Sequence, residues 1–376
     1  MFYDIPNTRN LTETFRAGNL SLFRSVMCIV ISILVVGCGS DTTESGANVA
    51  PSAVSRDFVD LDDGARFSGD IVQGLKQGFG VYIWPNGDRY EGNWQDDAMS
   101  GAGAFTDRSG RLYDGQWKAG RYNGEGVYKW PSGSTYKGQF VDGLKNGNGS
   151  YTWADGRVYV GEFKNDKKNG AGSYQWPDGR KYTGQFVNDA RTGRGRLLSP
   201  SGENYDGQFV EGAQHGSGNA SYPDGSTYEG EFDEDQKVGR GTMKWPSGEI
   251  YSGQFRADTP NGAGIMQWPN GNRYEGGFVS GIMQGRGKYY WQDGRVYDGE
   301  FKHGARTGKG SLQWPSGERY IGDFVSDTRE GRGTFSWPDG SKYVGSFSQS
   351  QLHGRGSCTA SGQTAPCRFD KGVRIE

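Results

Sequence analysis

Counting from Phe67 in steps of 23 residues, the chain places Tyr90, Tyr113, Tyr136, Tyr159, Tyr182, Tyr205, Tyr228, Tyr251, Tyr274, Tyr297, Tyr320 and Tyr343 with no insertion or deletion. A repeat this regular excludes a conventional globular core, because each copy must bury the same residues against the copies beside it. With the aromatic start as position 0, glycine recurs at 2 (Gly92, Gly184, Gly322), at 11 and 13 (Gly193, Gly195) and at 20 (Gly202, Gly340). An aromatic stands at 4, tryptophan dominates 17, and all 11 tryptophans occupy one of these two positions.

Strand periodicity accounts for the spacing. In "YTGQF", 182–186, alternation sends Tyr182, Gly184 and Phe186 to one face and Thr183 and Gln185 to the other; Gly172, Tyr174 and Trp176 are likewise in phase. Glycine between aromatics leaves room for a neighbouring strand's ring. Trp-Pro-Asp-Gly, as at 176–179, supplies the fixed φ of proline and a glycine that tolerates positive φ, a tight reversal. Positions 5 to 12, longer and charged, are expected to make the opposite hairpin. The predicted fold is all-β: an elongated single-layer antiparallel sheet of about 13 tandem 23-residue hairpins over 67–356. Its aromatic face is carried by residues such as Tyr90, Trp94, Tyr136, Phe140, Trp176, Tyr182, Phe186, Trp245, Tyr274 and Trp314. Three buried aromatics stabilise a unit by about 2–3 kcal/mol each, together less than the roughly 1–2 kcal/mol per residue lost in ordering the whole unit, so no unit stands alone.

The flanks read differently. Arg9, Arg16 and Arg24 precede an apolar run, Val26 to Val36, too short to span a membrane but suited to an export signal over 1–37. "LVVGC" at 34–38 resembles the lipobox of bacterial lipoproteins, which implies acylation of Cys38 as the mature N-terminus. Residues 38–66, rich in Ser, Thr, Ala and Gly at first, read as a lipidated flexible tether. Cys358 falls at position 15 and Cys367 near the next start; in an oxidising compartment they read as a disulfide within a C-terminal cap, 357–376. The expected location is the bacterial cell envelope, lipid-anchored and extracytoplasmic, periplasmic or outer-membrane associated.

The spelling Y-x-G-x-F/W, G-x-G, W-P-x-G at this spacing resembles the MORN (membrane occupation and recognition nexus) repeat. The resemblance implies a hairpin array that acts as a scaffold, mediates dimerisation or partner binding, and in some members is linked to phospholipids. Asp107-Arg108, Ser199 and Tyr222 depart from it at the Trp-Pro positions, where a weakened aromatic row and a bend are expected.

Nothing in the chain converges on chemistry. His215, His303 and His353 lie far apart, no nucleophile has a plausible base and acid, the G-x-G pairs lack the rest of a dinucleotide loop, and "DLDDG" at 60–64 lacks the rest of a calcium loop. A formal charge of -2 draws it to no nucleic acid. The expectation is a non-enzymatic, cofactor-free scaffold that packs most of its aromatic face within the sheet and binds a protein partner or itself through the remainder. The alternative is an edge for anionic lipid headgroups or acidic glycans, built from positions 9 and 12: Lys145, Lys168, Arg191, Arg194, Lys237, Arg240, Arg306, Lys309, Arg329 and Arg332. Against it stands the plainer reading of solvated hairpin charge, diluted by Asp166, Asp189, Glu234 and Asp327. A targeting or regulatory subunit for a separate enzyme is the second alternative.

Overall fold

The computed structural model describes residues 57–376; the expected export signal, Cys38 and the expected tether up to residue 56 lie outside the described residues. Over 57–376 the chain forms one open antiparallel sheet of 29 strands in which each strand pairs with the next in sequence, and no helix occurs among the described residues.

Each repeat is a seven-residue strand followed by a nine-residue strand, as in Lys181–Val187 and Ala190–Leu198. Between them only Asn188 and Asp189 reverse the chain, with φ of 48° and 74°. Positive φ at both central residues marks a type I′ turn, whose twist matches that of the strands and which Asn, Asp and Gly tolerate best. This corrects the expected long connection at positions 5 to 12: most of those residues are in strands. At the other end Gly179 N–H donates to Trp176 O at 3.0 Å, Trp176 N–H donates to Arg180 O at 2.9 Å, and Gly179 has φ 89°. Pro177, Asp178 and Gly179 thus form the three-residue loop that the Trp-Pro-x-Gly spelling predicts.

The longer strand has two residues more than its partner, and the ladder absorbs them at one place. Gly184 pairs with Gly195, but Gln185 pairs with Thr192, with Gly193 at φ 57° in the bulge. The Tyr182 ring folds back over this junction. A Cβ on Gly184 or on Gly195 would come 2.4 Å from Tyr182 Oη, so the ring rests on two paired glycines that admit no side chain. Its hydroxyl donates to Gln185 O at 3.1 Å, the carbonyl at which the ladder slips. The same bond runs from Tyr90 to Asn93 O (2.9 Å), Tyr136 to Gln139 O (2.9 Å), Tyr274 to Gly277 O (3.1 Å) and Tyr343 to Ser346 O (3.2 Å). That acceptor is the reason position 0 holds tyrosine while position 4 holds phenylalanine or tryptophan.

Tyr182 also meets Phe186 edge-on at 5.2 Å and 87°, and Phe209 of the next repeat at 5.1 Å and 86°. Alternating in this way, the rings form a single row from Phe67 and Trp94 to Tyr343 and Phe369. The core is this row: Tyr182 is 0% and Phe186 2% exposed although no second layer covers them.

Both ends are closed by altered half-repeats. Leu61 to Gly64 takes the place of a Trp-Pro-x-Gly loop, with Gly64 N–H donating to Leu61 O at 2.9 Å, and Val59–Asp60 pairs with Phe67 and Arg66. The array therefore begins inside the stretch that the sequence assigns to the tether. Asp63 closes that loop, accepting from Ala65 N–H and Tyr82 Oη, each at 3.0 Å. At the far end Cys367 pairs with Gly356, as a repeat's glycine would, and Ala365 faces Cys358 where a tyrosine would stand. The Cys358–Cys367 disulfide occupies the place of the missing ring, and Phe369 completes the row against Tyr343 at 5.1 Å.

At Asp107, Ser199 and Tyr222 the loop closes as elsewhere, with Gly110, Gly202 and Gly225 donating back at 2.9, 3.0 and 2.9 Å. Strand pairing beside them is continuous, and the tryptophan row has a local gap at each. Where proline is missing after position 17, the freed N–H finds the preceding repeat: Arg108 donates to Asp88 Oδ1 (2.9 Å), Ala154 to Ser134 Oγ (3.2 Å) and Gln292 to Asn272 Oδ1 (3.0 Å).

Gly195→Ala should destabilise the array by about 3 kcal/mol, through steric overlap with the ring, and Tyr182→Phe by about 1 kcal/mol, through one unpaired carbonyl, measured as urea melting midpoints. Equal effects would contradict the packing described. Burial raises the Tyr205 and Tyr251 hydroxyls to about 12. Their neutral forms are favoured by folding, so this stability is complete below about pH 10 and is lost as pH climbs towards 12. The part of the tyrosinate signal that comes from these buried rings should therefore appear together with loss of β circular dichroism, not before it.

Candidate interaction surfaces

The predicted aromatic face divides into two parts. Positions 0 and 4, including Tyr90, Trp94, Tyr136, Phe140, Tyr182, Phe186 and Tyr274, are buried against one another, at 6% exposure or less. The tryptophans of position 17, including Trp176, Trp245 and Trp314, remain partly exposed, while position 15 is mixed, with Tyr82 and Tyr174 buried and Tyr128 and Tyr151 partly exposed. In the N-terminal half these rings form a tilted ladder, Tyr128, Trp130, Tyr151, Trp153, Tyr174 and Trp176, with centroids 4.4, 5.2, 4.4, 5.5 and 4.6 Å apart.

The predicted basic edge divides as well, and for a geometric reason. Positions 9 and 12 lie in one strand at an odd separation, so their side chains leave opposite faces. Position 9 turns to the aromatic side. Lys168 Nζ lies 5.6 Å from Trp153, 6.0 Å from Tyr159 and 5.5 Å from Tyr174, and pairs with Asp189 of the next repeat at 3.3 Å. The backbone doubles this link: Lys168 N–H donates to Asp189 Oδ1 and Asp189 N–H to Lys168 O, both at 3.0 Å. Lys145 with Asp166, Lys237 with Asp258 and Arg306 with Asp327 repeat the arrangement at 3.1, 3.0 and 2.9 Å. Arg191 and Arg329 instead donate to the carbonyls of Gly212 and Ser350, and burial lowers both guanidinium pKa values. These six cations tie repeat to repeat. The signal for this role was present in the sequence as the acids two residues before the next repeat's position 9, which read there only as diluting charge.

Position 12 turns to the opposite, polar face, where Arg194, Arg240, Lys309 and Arg332 are exposed. Lys309 pairs with Asp323. The same face carries hollows of about 910, 750 and 350 Å3 over repeats in the C-terminal half. His215 and His353 stand beside Asp233 (3.0 Å) and Asp370 (3.6 Å) at separate sites, His303 occupies a type I′ turn at φ 49°, and no group of three or more metal-ligating side chains occurs among the described residues.

A row that the sequence reading missed lies near the type I′ turns. Val141, Val187, Val210, Val279 and Val325, all at position 5, are 48–55% exposed on the polar face, and Leu144 and Ile282 stand across the turn from two of them. Alternation could have found them, since position 5 is out of phase with the buried 0 and 4.

The MORN repeat profile matches thirteen consecutive segments, from 67–89 through 182–203 to 343–364. The chain belongs to the MORN repeat family. No curated protein matches it. Among solved structures, this MORN array is similar to the TCP domain of Drosophila melanogaster SAS-4 (dCPAP), solved with a proline-rich motif of Ana2, at 16% identity over 41% of this chain and 85% of that one, with a TM-score of 0.29. It is similar to the TCP10 domain of Danio rerio CPAP at 16% identity, 72% and 99% coverage and a TM-score of 0.19. Virginiamycin B lyase from Staphylococcus aureus follows at 8% identity, 80% and 98% coverage and a TM-score of 0.13. At TM-scores this low none of the three carries an argument. The MORN repeats themselves point to an interaction or scaffold module.

Replacing Lys168 by Met should destabilise the array by about 1 kcal/mol and replacing Arg194 by Met by less than about 0.5 kcal/mol, both read from urea melts. The reverse order would show that position 9 does not join the repeats.

Proposed function

We propose that this MORN protein is a non-enzymatic scaffold of the bacterial cell envelope, held to a membrane by lipid on Cys38, whose array presents a long surface to a protein partner or to a second copy. The observation that supports this most is the exposed apolar row at position 5, where Val187 is 50% and Val279 51% exposed. Branched apolar side chains repeated along one edge of a sheet gain from being covered by another protein and gain nothing from water. The anchoring half of the proposal rests on "LVVGC" at 34–38 and the apolar run before it.

The alternative edge for anionic lipid headgroups or acidic glycans loses the six cations of position 9, which are engaged between repeats. What remains of it is the position 12 series on the other face. A targeting or regulatory subunit of a separate enzyme is a special case of the scaffold and is told apart by what is recovered with it.

Crosslinking in the native envelope followed by affinity recovery should yield a stoichiometric protein partner or a homodimer that persists at about 0.5 M salt, where exposed charge attraction is largely screened. Val187→Asp together with Val210→Asp should abolish that recovery without altering circular dichroism. Association that vanishes in salt and survives the valine changes would overturn the reading. For the anchor, Cys38→Ser should remove metabolic incorporation of an alkyne-tagged fatty acid; label retained in that variant would contradict it.

A further inference from the structure

Over the last four repeats the polar face hollows into a groove of about 910 Å3. Arg286, Lys309, Arg332 and Arg355, one from each successive repeat, line it from position 12, with Arg319 and a single lining acid, Asp298; Lys309 is paired with Asp323 beside the groove. Among the described residues the Arg332 and Arg355 guanidinium groups have no ion-pair or hydrogen-bond partner. Ile321 and Val344, 48% and 46% exposed, lie on the floor with Thr334 paired between them.

We propose that this groove binds an acidic, extended polypeptide segment laid across the strands, its carboxylates on the position 12 cations and its apolar side chains on Ile321 and Val344. The proposal rests on the scaffold reading and gives the chemistry of one partner. The local charge selects an anion: cations recur with each repeat, and a hollow lined mostly by one sign of charge focuses their field. The exposed Ile and Val select a peptide over a glycan, whose hydroxyl-covered surface does not bury branched hydrocarbon and which has no aromatic ring to stack on in this lining. A flat bilayer does not enter a hollow crossed by backbone.

Spacing selects the conformation. Two paired strands advance about 9.6 Å, so the cations recur at about that distance. Three residues of polyproline II chain make one turn, so every third side chain returns to the same side, and they advance about 9.3 Å. Seven residues of α-helix advance about 10.5 Å, an overshoot of about 2.7 Å across the four cations against a shortfall of about 0.9 Å for the polyproline II chain. The groove floor is fully paired sheet, so the segment is held by side chains and not by strand addition.

The test is fluorescence anisotropy of the purified full chain with a labelled Glu-Val-Ser repeat peptide carrying four carboxylates three residues apart. The peptide should bind in low salt; Arg332→Glu and Arg355→Glu should each weaken it by roughly three- to tenfold, and Arg194→Glu, exposed on the same face outside the groove, should not. A peptide with Gln for Glu should not bind. Absence of binding to the wild type, insensitivity to both reversals, or tighter binding of polygalacturonate or phosphatidylglycerol vesicles with the same dependence on Arg332 and Arg355 would each overturn the inference. The valine variants at 187 and 210 separate the two readings. If they abolish partner recovery while the peptide never binds, the scaffold stands and the groove assignment falls.

Discussion

A tyrosine ring lying on two paired glycines, with its hydroxyl bonded to the carbonyl freed by a bulge, is the contact on which the whole array depends. It requires several things at once: glycine at positions 2 and 13, a left-handed glycine at 11 where the ladder slips, and an oxygen at the end of the ring at position 0. Tyr182 with Gly184, Gly193 and Gly195 shows all of them, and Tyr320 with Gly322, Gly331 and Gly333 repeats them far along the chain. Because the ring covers its own hairpin, a sheet with no second layer keeps a dry core. Because the same ring meets the phenylalanine of the following repeat, the cores join into one row.

From this follows the division of labour between the faces. The aromatic side is occupied by its own packing, reinforced at position 9 by cations that reach the next repeat's acid or carbonyl. The polar side, relieved of packing duties, is free to vary, and its charges, valines and hollows differ along the array. Nearest-neighbour stabilisation of this kind makes stability a sum over local junctions, so surface residues change without the fold being disturbed. An interaction module needs that independence, which is the physical link between the packing and the proposed role.

Much of the fold was legible because the spacing of 23 residues, the Trp-Pro-x-Gly loop and the alternation around Tyr182 each report a local backbone rule. The row of aromatic residues was readable for the same reason, and the terminal disulfide from the cysteine count and the expected oxidising compartment. Three features were not. The short turn at Asn188–Asp189 was hidden because its residues look like ordinary loop charge, although their positive φ is what permits a two-residue reversal. That misreading placed positions 9 and 12 on one edge, and the strand parity of Lys168 and Arg194 separates them. The half-repeat before Phe67 was hidden because Leu61 stands in a tryptophan's place; only its paired strand and the Asp63 contact to Tyr82 identify it. The exchange of Pro for an N–H at Arg108, Ala154 and Gln292, answered by Asp88, Ser134 and Asn272, is visible in sequence only once the sheet neighbours are known.

Hydrogen exchange on the full chain carrying Tyr205→Ala tests the central contact most directly, because Tyr205 covers Gly207 and Gly218 and touches both Phe209 and Phe232. The account predicts that amides from about 190 to 240 lose protection while those near Tyr90 and Tyr320 keep theirs. Unchanged protection across Gly207 and Gly218, or an equal loss along the entire sheet, would contradict it.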